Sequence, residues 1–313
     1  MTRALKSLFT VSNGLFVVFL LIQLLPNRAG GRIADKPLYT VALVSVLEVF
    51  LLTSGFFVKK KELRNVISDI IGFVYIVLIF WVLATVKLNV VSNAKSAVFP
   101  PPGAVLAQFV SDIKITVTNV RDSLDLVFRG YLLAMITAIP LGLILGWNVR
   151  VGAAATYITK FLSSISPLVY TPYAIVLLPS FRAASIFVIF VASFWPTLAG
   201  TMSGVLNVEK NIIDSAKTLS VGRVTMLSRV VLPASLPQVF IGCNQGLSIS
   251  FILLVSAEMI GARSGIGYYV NNYVNFGNYT SALAGVFVIG IVVSVITFFF
   301  NLLQRFLLRW KKR

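Results

Sequence analysis

Eight runs of this chain are apolar for long enough to cross a lipid bilayer, and no soluble fold accommodates so many. They lie near residues 9–25, 38–58, 67–90, 120–147, 153–178, 184–206, 237–257 and 281–304. About 20 helical residues cover the ~30 Å of hydrocarbon. Inside hydrocarbon every backbone N–H and C=O must be satisfied within the protein, and a helix does this within one segment. The expected fold is therefore an all-α integral membrane protein with eight transmembrane helices. Pro167 and Pro172 interrupt the fifth run, which is expected to kink or to be partly re-entrant. Arg3 and Lys6 precede the first run as they would in a secretory signal peptide. The LPNRAGG that follows has no small-x-small cleavage pattern, so the run is read as a retained span.

Charge sets the orientation. The 27 Lys and Arg outnumber the 10 Asp and Glu, for a net charge of +17. Gathered into one patch, such an excess would point to nucleic acid; here the basic residues sit between the apolar runs. With the N-terminus in the cytoplasm, an even number of spans returns the C-terminus there. Seventeen basic residues then fall inside and eight outside, while Arg121 and Arg129 enter the fourth run. Cytoplasmic loops of membrane proteins carry this bias. Both termini are therefore expected in the cytoplasm, and nucleic acid is not an expected partner.

Several chemistries are excluded by what the chain lacks. It has no histidine and one cysteine, Cys243. His-based triads, His metal ligands, an intrachain disulfide and a cysteine-built metal centre are all impossible. No GxxxxGK[ST] loop occurs, so nucleotide is not held here by that device. No catalytic residue and no resident metal is expected.

One polar segment interrupts the apolar pattern. Between Val208 and Pro237 the residues Ile212, Ile213, Ala216 and Leu219 recur at helical spacing, as do Val224, Leu227, Val230 and Val231. Two short amphipathic helices are expected, with a turn near Ser220 to Gly222 and a stop at Leu232 and Pro233. Helices this short need a surface on which to bury their apolar faces. A cytoplasmic partner and the inner leaflet of the membrane fit that need equally well.

A family resemblance separates the two. DSAKTLSVGRVTMLSRVVLPASLP resembles the coupling loop of ABC importer permeases, which carries Glu-Ala-Ala, a glycine four positions later, and Leu-Pro about a dozen residues beyond. Asp214, Ser215 and Ala216 stand at the Glu-Ala-Ala positions, and Leu232 and Pro233 at the Leu-Pro. Ser220 occupies the usual glycine position, with Gly222 displaced by two. The resemblance runs from about Val98 to Trp310 and is closest to the nitrate, sulfonate and taurine branch of binding-protein-dependent permeases. FPPPGAVLAQF, SLDLVFRGYLLAMITAIPLGLILGW, SAEMIGARSGIGYYV with Glu258, Gly265 and Gly267, and LLRW carry it in order. Leu126 stands where the family commonly has an arginine, with Arg129 three residues on, and Cys243 and Asn244 replace a Leu-Arg.

The resemblance implies a membrane-spanning permease subunit of an ATP-driven importer, working by alternating access. Residues 1–64 would form two extra N-terminal helices and residues 65–313 a six-helix transport core with its coupling loop at 208–236. ATP and Mg would be bound by a separate cytoplasmic ATPase docking on that loop. A solute-binding protein would dock on the opposite face, and a second permease copy, most simply an identical one, would complete the pathway. The solute would be a sulfonate, nitrate, or a small organic or heterocyclic compound. Two other readings stay open: an ion-coupled secondary transporter, with Glu48 and Asp69 as mid-span carboxylates, or a membrane scaffold recruiting a cytoplasmic partner.

Other residues carry paired readings. Arg121, Asp125 and Arg129 can neutralise one another at (i, i+4) spacing or form a charged outer rim. Glu258 holds a loop or meets the solute. Ser163, Ser164, Ser166, Tyr170, Thr171 and Tyr173 cluster around the two prolines, and Asn244, Gln245, Ser248 and Ser250 recur in the seventh run. These either pack helices together or line the pathway, for which Ser166, Tyr170, Tyr173, Asn244, Gln245 and Ser248 are the candidates. Gly142, Gly146, Gly242 and Gly246 allow close helix approach, with a subunit interface in the pattern of small-residue contacts as one reading.

Overall fold

A computed structural model describes residues 11–25, 27, 34–57, 61–87 and 98–309. Both chain ends, and with them Arg3, Lys6 and Lys311 to Arg313, lie outside the described residues, as do Lys59, Lys60 and Lys95. No β-strand occurs among the described residues. The helices are α1 (Val11–Leu24), α2 (Pro37–Phe57), α3 (Lys61–Val82), α4 (Pro102–Ser111), α5 (Ile113–Trp147), α6 (Val149–Ser164), α7 (Tyr170–Leu177), α8 (Phe181–Leu206), α9 (Lys210–Thr218), α10 (Leu232–Gly261), α11 (Ile266–Asn275) and α12 (Tyr279–Leu307).

Five helical stretches are long and apolar enough to span a bilayer: Glu62–Lys87, Ile113–Trp147, Phe181–Leu206, Arg223–Gly261 and Tyr279–Leu307. Val11–Leu24 and Pro167–Leu177 are apolar but shorter. Five crossings are thereby identified by length and composition among the described residues, which does not confirm the expected count of eight. The fifth run departs most from expectation. It ends as α6 at Ser164, passes through extended residues at Ile165 and Ser166, turns tightly over Pro167–Val169 and resumes as α7. A proline disfavours helical backbone at the residue before it, and Ser166 with ψ 122° obeys.

The chain packs as two compact units, one of residues 1–114 and 272–286, the other of residues 115–271 and 287–313. In the first unit α1, α2 and α3 close around Tyr75 and Phe19, both fully buried, with Val44, Ile71 and Val82. The Tyr75 hydroxyl donates to the Glu48 carboxylate at 3.0 Å and lies 3.2 Å from the Val44 carbonyl. Glu48, one of the two mid-span acids, is thereby engaged inside this bundle. Lys87 ends the widened π turn Leu83–Lys87 that follows α3 and donates to the Gln23 and Leu25 carbonyls and to Asn27, which satisfies acceptors at the C-terminus of α1.

In the second unit α5, α8, α10 and α12 share a core of Leu126, Val127, Ile189, Leu247, Phe251 and Leu254. Small residues set its spacing. A Cβ on Gly242 would lie 2.6 Å from the Pro196 carbonyl, and one on Gly200 2.7 Å from the Gly242 Cα. Gly246 abuts Ser193, while Gly142 and Gly146 of α5 abut Thr201 and Val205 of α8. The glycine spacings read as a possible contact between subunits thus form a seam inside one chain. Along that seam the buried hydroxyls of Ser193 and Ser250 meet at 2.7 Å: one donates to the other, which in turn donates to the carbonyl four residues back on its own helix. Hydroxyls and glycines together let two helices approach closely.

Candidate functional site

Three features of the second unit carry chemistry, and the first is the polar segment. Helix α9 is followed by a turn, and a second helix begins at Arg223. Two helices flank the turn, as the periodicity predicts. The predicted stop at Leu232 and Pro233 does not occur. The helix runs on into α10 through a widened π turn at Met226–Val231, giving one continuous stretch from Arg223 to Gly261. Pro233 has no N–H to donate, and the widened turn falls just ahead of it, where regular bonding would be interrupted in any case.

The turn residue is Ser220. Its φ of 55° is the one positive value at a non-glycine position among the described residues, whereas Gly222 has φ −64° and precedes the second helix. The residue at the family's glycine position takes the left-handed conformation itself, and Gly222 does not replace it. The apolar face of the segment is also satisfied internally. Ala216, Met226 and Val231 are buried together with Val205, and Trp147, Val208 and Val221 pack against them. What remains open to solvent is different: Leu219 is 78% and Val224 80% exposed, one on each side of Ser220. Asp214 and Ser215 are exposed, with Asp214 paired to Lys217 at 3.3 Å.

The second feature is a buried acid that holds a turn. Glu258, 1% exposed near the end of α10, accepts from the Ser123 hydroxyl at 2.6 Å and from the Gly267 N–H at 2.8 Å. The Ile266 N–H donates to the same Ser123 oxygen at 2.9 Å, and the Gly265 N–H to the Asn119 side chain at 2.9 Å. These are the first N–H groups of α11, which its own turns cannot satisfy. Gly265 has φ 114°, and a Cβ there would collide with the Glu258 carboxyl. At Gly267 a Cβ would lie 2.5 Å from the Val255 carbonyl. The Glu-Met and Gly-x-Gly signatures are thus one object: an acid and the two glycines that let a backbone reach it. Of the two readings for Glu258, this geometry is the loop-holding one.

Nearby, Asp125 receives Arg129 through Nε at 3.0 Å and Arg182 from the first turn of α8. Arg182 takes the place that spacing alone gave to Arg121, because residues distant in sequence are invisible to an (i, i+4) rule. Leu126, at the family's arginine position, is buried in the shared core, and the Arg129 side chain is 56% exposed.

The third feature is a cavity of about 840 Å³ bounded by α6, α8 and α10. Along α8 its wall extends from Ala192 to Asn207. Lys160, Ser163, Ser164, Trp195, Met202 and Gln245 are among its lining residues. Of the pathway candidates only Gln245 lies on this wall. Ser166 begins the tight turn before α7, Tyr173 is 66% exposed, and Tyr170 is half-buried. The Asn244 side-chain oxygen is buried with no partner, and the exposed Ser248 hydroxyl donates to the Asn244 carbonyl. Ser250 belongs to the α8–α10 seam. Lys160 is one of the seventeen basic residues assigned to the inside by orientation, and the signal that singles it out is its solitude, since no other charged residue occurs between Arg150 and Arg182.

Comparison with known proteins places these features. Residues 138–313 match the family model of the binding-protein-dependent transport system inner membrane component. A probable ABC transporter permease protein of Brucella abortus is 31% identical over 220 residues, which cover 70% of this chain and 88% of that protein. The nitrate import permease of Leptolyngbya laminosa is 31% identical over 56% of this chain and 62% of its own length. The taurine transport system permease of Escherichia coli is 27% identical over 79% of this chain and 90% of its own length. Among solved structures, the MetNI methionine ABC transporter in inward-facing conformations contains a chain with the same fold, at TM-score 0.55 and 18% identity, covering 62% of this chain and 97% of that one. A helical, multi-pass chain whose glycine-seamed core, polar segment and Glu258 turn fall within these matches belongs to the inner-membrane permease subunits of binding-protein-dependent ABC importers.

Proposed function

We propose that this chain forms half of the transmembrane pathway of an ATP-driven importer. Its transport core runs from about residue 65, residues 1–64 add two N-terminal helices, and both termini face the cytoplasm. The core moves a small solute inward by alternating access. Cytoplasmic ATPase subunits, which alone bind ATP and Mg, dock on residues 208–236. A solute-binding protein delivers cargo to the opposite face, and a second copy of the chain completes the path.

One observation carries the docking role. The polar segment has already buried its inward face, Ala216, Met226 and Val231, and still leaves Leu219 and Val224 exposed on both flanks of the Ser220 turn. Large aliphatic side chains at the tip of a polar loop are covered by a partner more economically than by water. Asp214 and Ser215 join them on the open side, whereas Ala216 shapes the loop from within. Because the loop continues into α10, a displacement of the tip moves the helix that bears Gln245 and Glu258. A ligand or partner that binds one of two arrangements more tightly shifts the bundle toward it.

The solute is held by hydrogen bonds and few charges. Relatives named for nitrate and taurine transport set the range: a sulfonate, nitrate, or a small organic or heterocyclic compound. Uptake into proteoliposomes containing the chain, its ATPase and its binding protein tests the reading. Accumulation should require Mg-ATP and persist without any ion gradient. Uptake driven by an ion gradient without ATPase would establish a secondary carrier instead, and absence of flux under every condition would leave only a scaffold.

A further inference from the structure

We propose that the cavity between α6, α8 and α10 receives an organic monoanion, a single negative headgroup on an apolar body, with Lys160 as the residue that selects the charge. The inference rests on the reading of this chain as a permease and narrows its solute. Lys160 is the one charged group among the described residues that line the cavity, and no carboxylate accompanies it there. A lone cation in an apolar bundle is retained where a water-filled space or a counter-charge meets it. In this cavity the counter-charge has to come with the solute.

Part of the hydrogen-bonding capacity of the wall lies on the same helix as that cation. The Thr156 and Ser164 hydroxyls donate to the Gly152 and Lys160 carbonyls at 2.7 and 2.8 Å, and the Asn207 amide donates to Ser203 at 2.8 Å. Their protons are already committed. Ser163, three residues from Lys160 and on the same helical face, is joined on the wall by the Thr159 and Ser203 hydroxyls and the Gln245 amide, enough polar side chains to support one headgroup. The rest of the wall is apolar, with Trp195, Met202, Leu206 and Ile249.

Size points the same way. At about 840 Å³ the cavity falls in the range, roughly 300–1,000 Å³, that encloses drug-sized organic molecules. An inorganic oxyanion would surrender its hydration to a mostly apolar wall and gain one cation in return, which is unfavourable. An aromatic or aliphatic body recovers the difference by covering Trp195 and its neighbours.

The test uses the purified full chain in detergent, without nucleotide or ATPase. 2-Naphthoate serves as probe, its neutral isostere 2-naphthamide and nitrate as controls, and binding is read from probe fluorescence above the detergent baseline. Saturable naphthoate binding is expected, weakened about tenfold or more in Lys160→Gln and kept within about threefold in Lys160→Arg, as for loss and retention of a charge-assisted bond. Naphthamide should bind weakly, and nitrate should not displace naphthoate at equal concentration. Each variant is first checked for wild-type elution and unfolding temperature, and Lys160→Met replaces Lys160→Gln if the latter misfolds. Absent naphthoate binding, equal binding of naphthamide, displacement by nitrate, or binding unchanged in Lys160→Gln would each overturn the proposal. Because ATPase and nucleotide are left out, such a result leaves ATP-driven import standing, and failure of ATP-driven uptake leaves the binding result standing.

Discussion

The Ser123 hydroxyl donates to the buried Glu258 carboxylate at 2.6 Å and at the same oxygen accepts the Ile266 N–H, so one side chain of α5 ties the end of α10 to the start of α11. Replacing Ser123 by alanine leaves a carboxylate oxygen and a backbone N–H without partners. Each buried group left unsatisfied costs about 1–3 kcal/mol. Ser123→Ala is therefore expected to lower the unfolding free energy by a few kcal/mol, and Glu258→Ala by more, since it also orphans the Gly267 N–H. Denaturant unfolding in mixed micelles measures both. A double variant no less stable than the worse single one would mark the two residues as one unit.

Glycine substitutions separate the seam from the rest of the bundle. Gly242→Ala places a Cβ 2.6 Å from the Pro196 carbonyl and should destabilise by about 1–3 kcal/mol through overpacking. Gly290 has open space around its Cβ position, so Gly290→Ala should be neutral or stabilising by up to about 1 kcal/mol from helix propensity. Equal effects at the two positions would contradict the seam.

Ser220 pays for its left-handed backbone. An L-residue with a Cβ there costs about 1–2 kcal/mol relative to glycine. Ser220→Gly should raise stability by about 1 kcal/mol while leaving the turn in place, and Ser220→Val should lower it. Melting curves of the purified variants decide the sign.

For the docking role, exposed and buried positions predict different outcomes. Leu219→Asp and Val224→Asp change side chains that face water, so both should fold normally, lose ATPase association in pull-down, and lose ATP-driven uptake by about tenfold or more. Ala216→Leu enters the packed cluster with Val205 and Met226 and should destabilise the loop itself by about 1–3 kcal/mol. Normal ATPase association in both aspartate variants would exclude the loop tip as the contact.

The apolar runs and the loop's periodicity were legible because each is a local pattern. Leu232-Pro233 misled for the same reason: proline usually ends a helix, but a widened turn one residue upstream carries the chain past it. Ala216 was visible as part of an apolar face, yet which surface covers that face depends on Val205 of the preceding helix and on Trp147, far away in sequence. Asp125 chose Arg182 over Arg121, and Gly242 met Pro196 of the same chain, through contacts that only the packed bundle creates. The Glu258 turn lies between. The acid and the glycines could be picked out by resemblance, whereas Ser123 and Asn119, which complete the arrangement, carry no local mark.

The unbroken helix from Arg223 to Gly261 has a mechanical corollary. At 1.5 Å per residue its 39 residues form a strut nearly 60 Å long. A push on its loop end arrives at Glu258 along continuous helix, which can give at the wide coil of Met226–Val231 and at Pro237, where a backbone hydrogen bond is missing. Inserting a single residue beyond that coil would twist everything downstream by about 100°, so the length of this strut, more than any one side chain along it, is what the transporter can least tolerate losing.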